Sequence, residues 1–265
     1  MSRLSLHNVT VRLGHRNVID NISLDIGAGE FVGLLGPNGA GKSTLLRTIM
    51  QELAHEGRIA IDGRPVAGMT AAERALQLAY LPQARNIAWP ISVAEVVALG
   101  RLPRSRPFAS PTPADQTAVA EAMARMDITG LADRPATELS GGETARVLIA
   151  RLLAQETPIV IADEPAAGLD PSHQITLVET FADLARSGRT VIASLHELPL
   201  AARWCRRIIL ISNGRVVADG IPAEVITGDN LSQTYGIEAM LTSDTRGLIV
   251  APTGLARKKA QAPED

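Results

Sequence analysis

Residues Gly36-Pro37-Asn38-Gly39-Ala40-Gly41-Lys42-Ser43-Thr44 have the spacing GxxxxGK[ST]. That spacing lets a loop wrap its main-chain N–H groups around phosphate. Glycine supplies the backbone freedom such a loop requires. A helix expected to start at Lys42 would present its positive end to the anion. Lys42 would add a charge at the β- and γ-phosphates, and Ser43 could ligate Mg²⁺.

A second pair of reactive groups lies at Asp163 and Glu164, directly after the apolar run Ile159-Val160-Ile161-Ala162. In a parallel sheet, ligands bind at the carboxyl ends of strands. There Asp163 could hold Mg²⁺ through its water shell, and Glu164 could polarise an attacking water. Read alone, a solvated strand end is the lesser alternative for the two acids. A third motif, Leu139-Ser140-Gly141-Gly142-Glu143, begins a helix and by itself is an N-cap and turn. Gln83 and His196 carry no signal in isolation: one is a loop residue, the other an ordinary packed histidine.

The surrounding pattern says which elements hold these residues. Strands are predicted over Leu4–Val11, Val18–Ile26, Glu30–Leu35, Arg58–Ile61, Gln77–Leu81, Ile159–Ala162 and Thr190–Ser194, from alternation or short apolar runs. Helices are predicted over Lys42–Glu52, Val93–Leu99, Ala114–Met126, Gly142–Leu153, Ser172–Arg186 and Glu197–Trp204, with a Pro/Ser/Arg-rich loop over Leu102–Pro113. Asn213-Gly214 between Ile208–Ser212 and Arg215–Ala218 marks a hairpin. Strands alternating with helices imply a mostly parallel sheet covered on its faces. The stretch between about Gln83 and Leu153 is predicted to be a helical insert.

The chain has 265 residues, of which 46% are apolar and 3% aromatic, so Ala, Leu, Val and Ile must build the core. Its net charge of −2 gives no electrostatic footprint for nucleic acid. The single cysteine, Cys205, rules out an intrachain disulfide and a CxxC metal site. No apolar run approaches the ~18 residues of a membrane span, and the N-terminus lacks the apolar core of a signal peptide. The basic cluster Arg257-Lys258-Lys259 reads as a solvated tail, and disorder is expected from about Ala260.

Taken together and in this order, the motifs resemble those of the ATP-binding cassette family, whose members carry LSGGQ or LSGGE before a helix. The resemblance runs from about Leu4 to Tyr235. It implies an α/β fold: a P-loop NTPase core with a mostly parallel sheet, an N-terminal antiparallel β subdomain and a helical insert at about 84–154. The cassette is expected over 1–242, with a C-terminal extension over 243–265. The resemblance implies MgATP as ligand and ATP hydrolysis as the activity. Gln83 resembles the Q-loop glutamine that contacts Mg²⁺ or water, Gly168-Leu169-Asp170 the D-loop, and His196 the switch histidine at the γ-phosphate. Two cassettes are expected to pair head to tail, so that Ser140, Gly141 and Gly142 act on the nucleotide of the second copy. Leu13 stands where relatives stack an aromatic ring on adenine; His15 or Arg16 could stack instead.

Within that family, Val93–Pro103 and Leu169–Gln174, together with Leu195-His196-Glu197-Leu198, are similar to the ATPases of importers for iron–siderophore, haem and cobalamin. The resemblance implies separate integral-membrane permease subunits as partners, a peripheral place on the cytoplasmic face of the cell membrane, and cargo that the ATPase does not touch. A soluble cassette serving iron–sulfur cluster assembly is the alternative, since its nucleotide motifs would be the same. Ile87, Trp89 and Ile91 around Pro90 fit either a socket for a permease helix or packing of the insert against the core.

Overall fold

The computed structural model describes residues 2–106 and 109–256. The chain opens with β1 (Ser2–Leu13) and β2 (Arg16–Gly27), an antiparallel pair. Leu4, Leu6, Val9 and Val11 of β1 and Ile22, Leu24 and Ile26 of β2 are buried, while the positions between them are mostly exposed or partly so. This is the alternation of a sheet with one solvated face. β3 (Phe31–Leu35) is buried along its whole length and leads into α1 (Lys42–Ile49). β4 (Glu56–Ile61) and β5 (Arg64–Pro65) form a hairpin. At its turn Asp62 and Gly63 both take the left-handed conformation that such turns need. The antiparallel sheet is ordered β2-β1-β4-β5.

α2 (Ala71–Gln77) runs straight into β6 (Leu78–Leu81). Sequence pattern did not find α2: it buries no residue, so it carries no apolar stripe to detect. Between β6 and the next strand the described residues form only helices. α3 (Val93–Ala98) tightens into a 3₁₀ segment, Leu99–Arg104, which takes the first residues of the loop expected from Leu102. α4 (Pro113–Arg125) and α5 (Gly141–Ala154) complete this layer. α3, α4 and α5 each begin with a capping box, Ser92–Glu95, Thr112–Asp115 and Ser140–Glu143, which satisfies the first free N–H groups of the helix.

β7 (Ile159–Asp163), α6 (Pro171–Arg186), β8 (Thr190–Ser194), α7 (Leu198–Trp204) and β9 (Arg207–Ser212) then alternate. β10 (Arg215–Gly220) returns antiparallel through the turn at Asn213-Gly214. The central sheet is ordered β10-β9-β3-β8-β7-β6, parallel except at β10. Successive strand residues supply opposite cores. Val32, Leu34, Ile159 and Ile161 pack with α1 and the antiparallel sheet. Phe31, Leu35, Val160 and Ala162 pack with α5, α6 and α7. The Phe31 and Phe181 rings meet edge to face at 5.8 Å.

α8 (Pro222–Val225) and α9 (Gly228–Tyr235) precede a hairpin of β11 (Ile237–Asp244) and β12 (Gly247–Leu255). The boundary expected at 242/243 falls inside β11. Ile237, Ala239 and Leu241 pack against the main core. Pro252 and Gly254 in β12 obscured its alternation. The basic cluster at 257–259 and the disorder expected from about Ala260 lie outside the described residues.

One polar joint ties the helical layer together and to the turn that precedes β7. Arg101 is buried; its Nε donates to Asp115 Oδ1 at 2.8 Å and its Nη1 to Glu156 Oε2 at 2.6 Å and Ala154 O at 2.7 Å. This pins the far end of α5, the helix that starts at Ser140. Asp115 is held down to about 2, from 3.8, by the Thr112 hydroxyl and then by Arg101. A depressed carboxylate contributes stability above its unfolded pKa and loses it as pH falls through the folded one. Arg101→Ala is therefore expected to lower the thermal midpoint at pH 7 by roughly 5 °C or more. The difference from the wild type should narrow as pH falls from about 4 towards 2, as measured by circular-dichroism melts across pH.

Candidate functional site

Because the central strands are parallel, their carboxyl ends share one edge, and the chemically active residues follow from that edge. β3 delivers Gly36–Thr44, β6 delivers Gln83, β7 delivers Asp163 and Glu164, and β8 delivers Ser194 and His196. Gly36 has φ 148, and a Cβ there would lie 2.1 Å from Ile211 O. Gly41 has φ 106 and packs on the Val18 carbonyl. Both positions need glycine, for the conformation and for the close approach of backbone.

α1 differs from the capped helices of the insert: it has no side-chain cap and no acidic residue in its first turn. Its first N–H groups are left for an anion, with the helix dipole behind them. Lys42 is buried, and its Nζ donates to Gly36 O at 2.6 Å and Pro37 O at 3.2 Å. Burial lowers its pKa, while the charges of Glu164 and Asp163 oppose that shift. The loop is tied from behind: Gly36 N donates to the Tyr235 hydroxyl at 2.7 Å, and burial raises that phenol to about 12.

Asp163 is buried at the end of β7 and accepts from Ser194 Oγ at 2.6 Å. The same hydroxyl accepts from Glu164 N at 2.8 Å. Glu164 has φ 50, a conformation a non-glycine residue holds only when its neighbours enforce it. Its carboxylate accepts from Gln83 Nε2 at 2.8 Å and lies 2.6 Å from His196 Nε2. Gln83, Glu164 and His196 thus form one row beside the Gly36–Thr44 loop. A cavity of about 280 Å³ is lined by Asn38 to Thr44 together with Val18, Gln83 and Glu164.

Not every residue singled out in the sequence reaches this cavity. Ser140 caps α5, accepting from Glu143 N at 3.3 Å, and Gly142 lies beside the Gly168 carbonyl. Asp170 caps α6, accepting from His173 N at 3.0 Å. That N–H, then the His173 ring and the Ser172 hydroxyl, hold its carboxyl far below the usual range. Neither Ser140–Gly142 nor Asp170 lines the cavity of its own chain. Leu13 is 48% exposed at the tip of the β1–β2 hairpin, opposite Arg16. Ile87 and Ile91 pack against the core, but Trp89 is 73% exposed.

Three side chains at the site escaped the sequence reading: Ser194, Tyr235 and Arg85. A hydroxyl closing an otherwise apolar strand was a signal for Ser194. Tyr235 lies 199 residues from Gly36, and nothing local marks it. Arg85 donates to two main-chain carbonyls, those of Glu164 and Ala167, which no pattern of residue types announces.

The family model for ABC transporters matches residues 19–167. The chain is 43% identical to the hemin import ATP-binding protein HmuV of Streptomyces coelicolor, over 91% of this chain and 87% of that protein. It is 41% identical to the HmuV of Pseudomonas fluorescens, over 94% and 99% respectively. Among solved structures it resembles a chain of an inward-facing ABC transporter with a TM-score of 0.81, covering 97% of this chain and 99% of the other. At 24% identity that likeness is one of fold alone. A second neighbour is the dimeric post-hydrolysis state of the ATP-binding cassette MJ0796 bound to ADP and Pi, with a TM-score of 0.75 and 28% identity, covering 83% of this chain and 98% of that one.

The tie from Tyr235 to Gly36 can be tested directly. Tyr235→Phe leaves the Gly36 N–H without its acceptor, a loss of about 1–3 kcal/mol where the group is buried. Denaturant unfolding is expected to report a loss in that range. Titration with nucleotide should show affinity weakened severalfold, since the loop begins at that residue.

Proposed function

Since this chain belongs to the ABC transporter family as one of its ATP-hydrolysing subunits, we propose that it powers an importer for haem or a related iron chelate, and that the row Gln83–Glu164–His196 is its hydrolytic centre. The observation that carries the assignment of the centre is the Glu164 carboxylate, held by Gln83 and His196 at the wall of the phosphate-binding cavity. The names of the relatives, hemin import ATP-binding proteins at 41–43% identity over most of the chain, support the cargo class and favour it over iron–sulfur cluster assembly.

In this reading the α1 N-terminus and the N–H groups of Gly39 to Thr44 bind the β- and γ-phosphates, and Lys42 leaves the Gly36 carbonyl to meet them. The Ser43 hydroxyl, the Asp163 carboxylate and the Gln83 amide oxygen are hard oxygen donors. Among the described residues no cluster of three or more His, Cys, Asp or Glu side chains competes as a metal site. One carboxylate with neutral oxygens suits Mg²⁺, which retains water and shares substrate phosphates; when bound it would neutralise charge developing on the transferred phosphoryl group. Ser194 orients Asp163 by its 2.6 Å bond. Glu164 accepts the proton of the attacking water, and His196 contacts the γ-phosphate and steadies that carboxylate.

Ser140–Gly142 and Asp170 lie away from their own cavity, which agrees with their acting across a dimer. The free face of α5 would meet the γ-phosphate of a second copy, with the D-loop beside it. Glu164→Gln preserves size and removes the base. Turnover is expected to fall by ~10²–10⁴ while ATP still binds, so the variant should collect as an ATP-loaded dimer in size-exclusion chromatography. Near-normal turnover would refute the role.

No helix among the described residues is long and apolar enough to cross a membrane; the permease would hold the protein at the cytoplasmic face. Trp89 stands exposed six residues after Gln83. Among the described residues, α3 and α4 border a groove of about 820 Å³ lined by Ile91, Ala94, Ala98, Leu99, Leu102 and Val119 among others. These surfaces form the socket for a cytoplasmic helix of the permease. In vesicles containing the permease, Trp89→Ala is expected to cut uptake of haem severalfold while the isolated subunit keeps its basal ATPase rate. Equal losses would mean that Trp89 only packs, and copurification with a soluble assembly factor in place of a membrane protein would favour the other reading.

A further inference from the structure

Arg85 lies between the hydrolytic centre and the exposed Trp89 segment. Its Nη2 donates to the Glu164 carbonyl and its Nη1 to the Ala167 carbonyl, both at 2.5 Å. These two carbonyls bracket the turn that follows β7, which is closed by Ala167 N donating to Glu164 O at 3.2 Å. Glu164, the first residue of that turn, has φ 50, so something must keep its backbone in a conformation it would otherwise leave. The guanidinium suits this: it is a rigid fork whose two ends reach two acceptors at once. The third nitrogen, Nε, is buried with no partner among the described residues. Burial lowers the arginine's pKa and the Glu164 charge opposes that.

We propose that Arg85 is a positioning residue for hydrolysis: it clamps the main chain of the Glu164–Ala167 turn and so aims the Glu164 carboxylate. Gln83, two residues earlier, grips the carboxylate of Glu164, while Arg85 grips its carbonyl. The same short segment therefore holds the base at both ends. A displacement of the segment beyond Arg85, where Trp89 is exposed, would be carried to the base through these bonds. The phosphate contacts, on α1 and its loop, would stay unchanged. The same clamp reaches Ala167, so the start of the D-loop turn would move with the base.

The inference rests on the reading of Glu164 as the base, and one series of variants separates the two. The full chain is compared as wild type, Arg85→Ala, Arg85→Lys, Glu164→Gln and the double variant Arg85→Ala/Glu164→Gln. Readouts are steady-state ATPase rate, ATP affinity by fluorescent-nucleotide displacement, and the melting midpoint. Misplacing a reacting group costs up to roughly a hundredfold. Arg85→Ala is expected to lower kcat tenfold or more, with ATP affinity within about twofold of the wild type. Arg85→Lys, which can reach one carbonyl but not both, should restore part of the rate. In the Glu164→Gln background the Arg85 change should have no further effect on the residual rate, because two residues acting through one group are not additive. Wild-type kcat in Arg85→Ala, beside an inactive Glu164→Gln, overturns the inference alone. So does a loss of equal size in the Glu164→Gln background, or a loss that follows affinity or melting midpoint with no recovery in Arg85→Lys. Normal turnover by Glu164→Gln overturns the reading of the site, and the inference with it.

Discussion

Five parallel strands, β9-β3-β8-β7-β6, end along one edge of the central sheet, and the segments carrying Gly36–Thr44, Gln83, Asp163-Glu164 and His196 depart from that edge. A parallel neighbour can be reached only through a crossover, so the carboxyl ends of β3, β6, β7 and β8 each meet a loop and then a helix N-terminus. That constraint sets a helix dipole, a phosphate-binding loop and two carboxylates around one cavity. The two buried faces of the sheet hold the edge rigid, with Val32, Leu34 and Ile161 packed on one side and Phe31, Leu35 and Val160 on the other. Positioning to a fraction of an ångström, which phosphoryl transfer requires, is a property of that packed sheet and not of the loops.

The site itself is a balance of charges that would not coexist without the others. Lys42 is buried and its pKa lowered; Asp163 and Glu164 oppose the shift. The acids in turn are each engaged: Asp163 by Ser194, Glu164 by Gln83 and His196. The cationic end of α1 is left open on the side that faces the cavity, so an arriving triphosphate would meet unsatisfied N–H groups and a lysine that must change partners. The helix starts at Ser140 and Asp170 are instead closed by their own side chains.

The helical layer adds a second requirement. α5 begins at the Ser140 motif and ends at the Arg101 joint, so the buried ion pair with Asp115 and the bonds to Ala154 and Glu156 fix where that motif points relative to the sheet. The segment from Gln83 to Trp89 connects the layer to the site by a different path, through the carboxylate of Glu164 and the carbonyls of Glu164 and Ala167.

The residue types and spacing of Gly36–Thr44, Asp163-Glu164 and Leu139–Glu143, with the alternation of apolar runs, were enough to determine the fold class, the nucleotide chemistry and the family, because each depends on local pattern: glycine where the backbone must bend, a lysine at a set distance, acids after a buried strand. Tertiary structure alone decided which residues hold those groups in place. Tyr235 meets Gly36 across 199 residues, Ser194 joins Asp163 to Glu164 because β7 and β8 are neighbours, and Arg85 finds two carbonyls that any residue could have offered. Trp89 parted from Ile87 and Ile91 for the same reason: exposure depends on what the rest of the chain covers. The hairpin of β11 and β12 was hidden because its pairing is completed only between strands, and the core it leans on is assembled from every other part of the molecule.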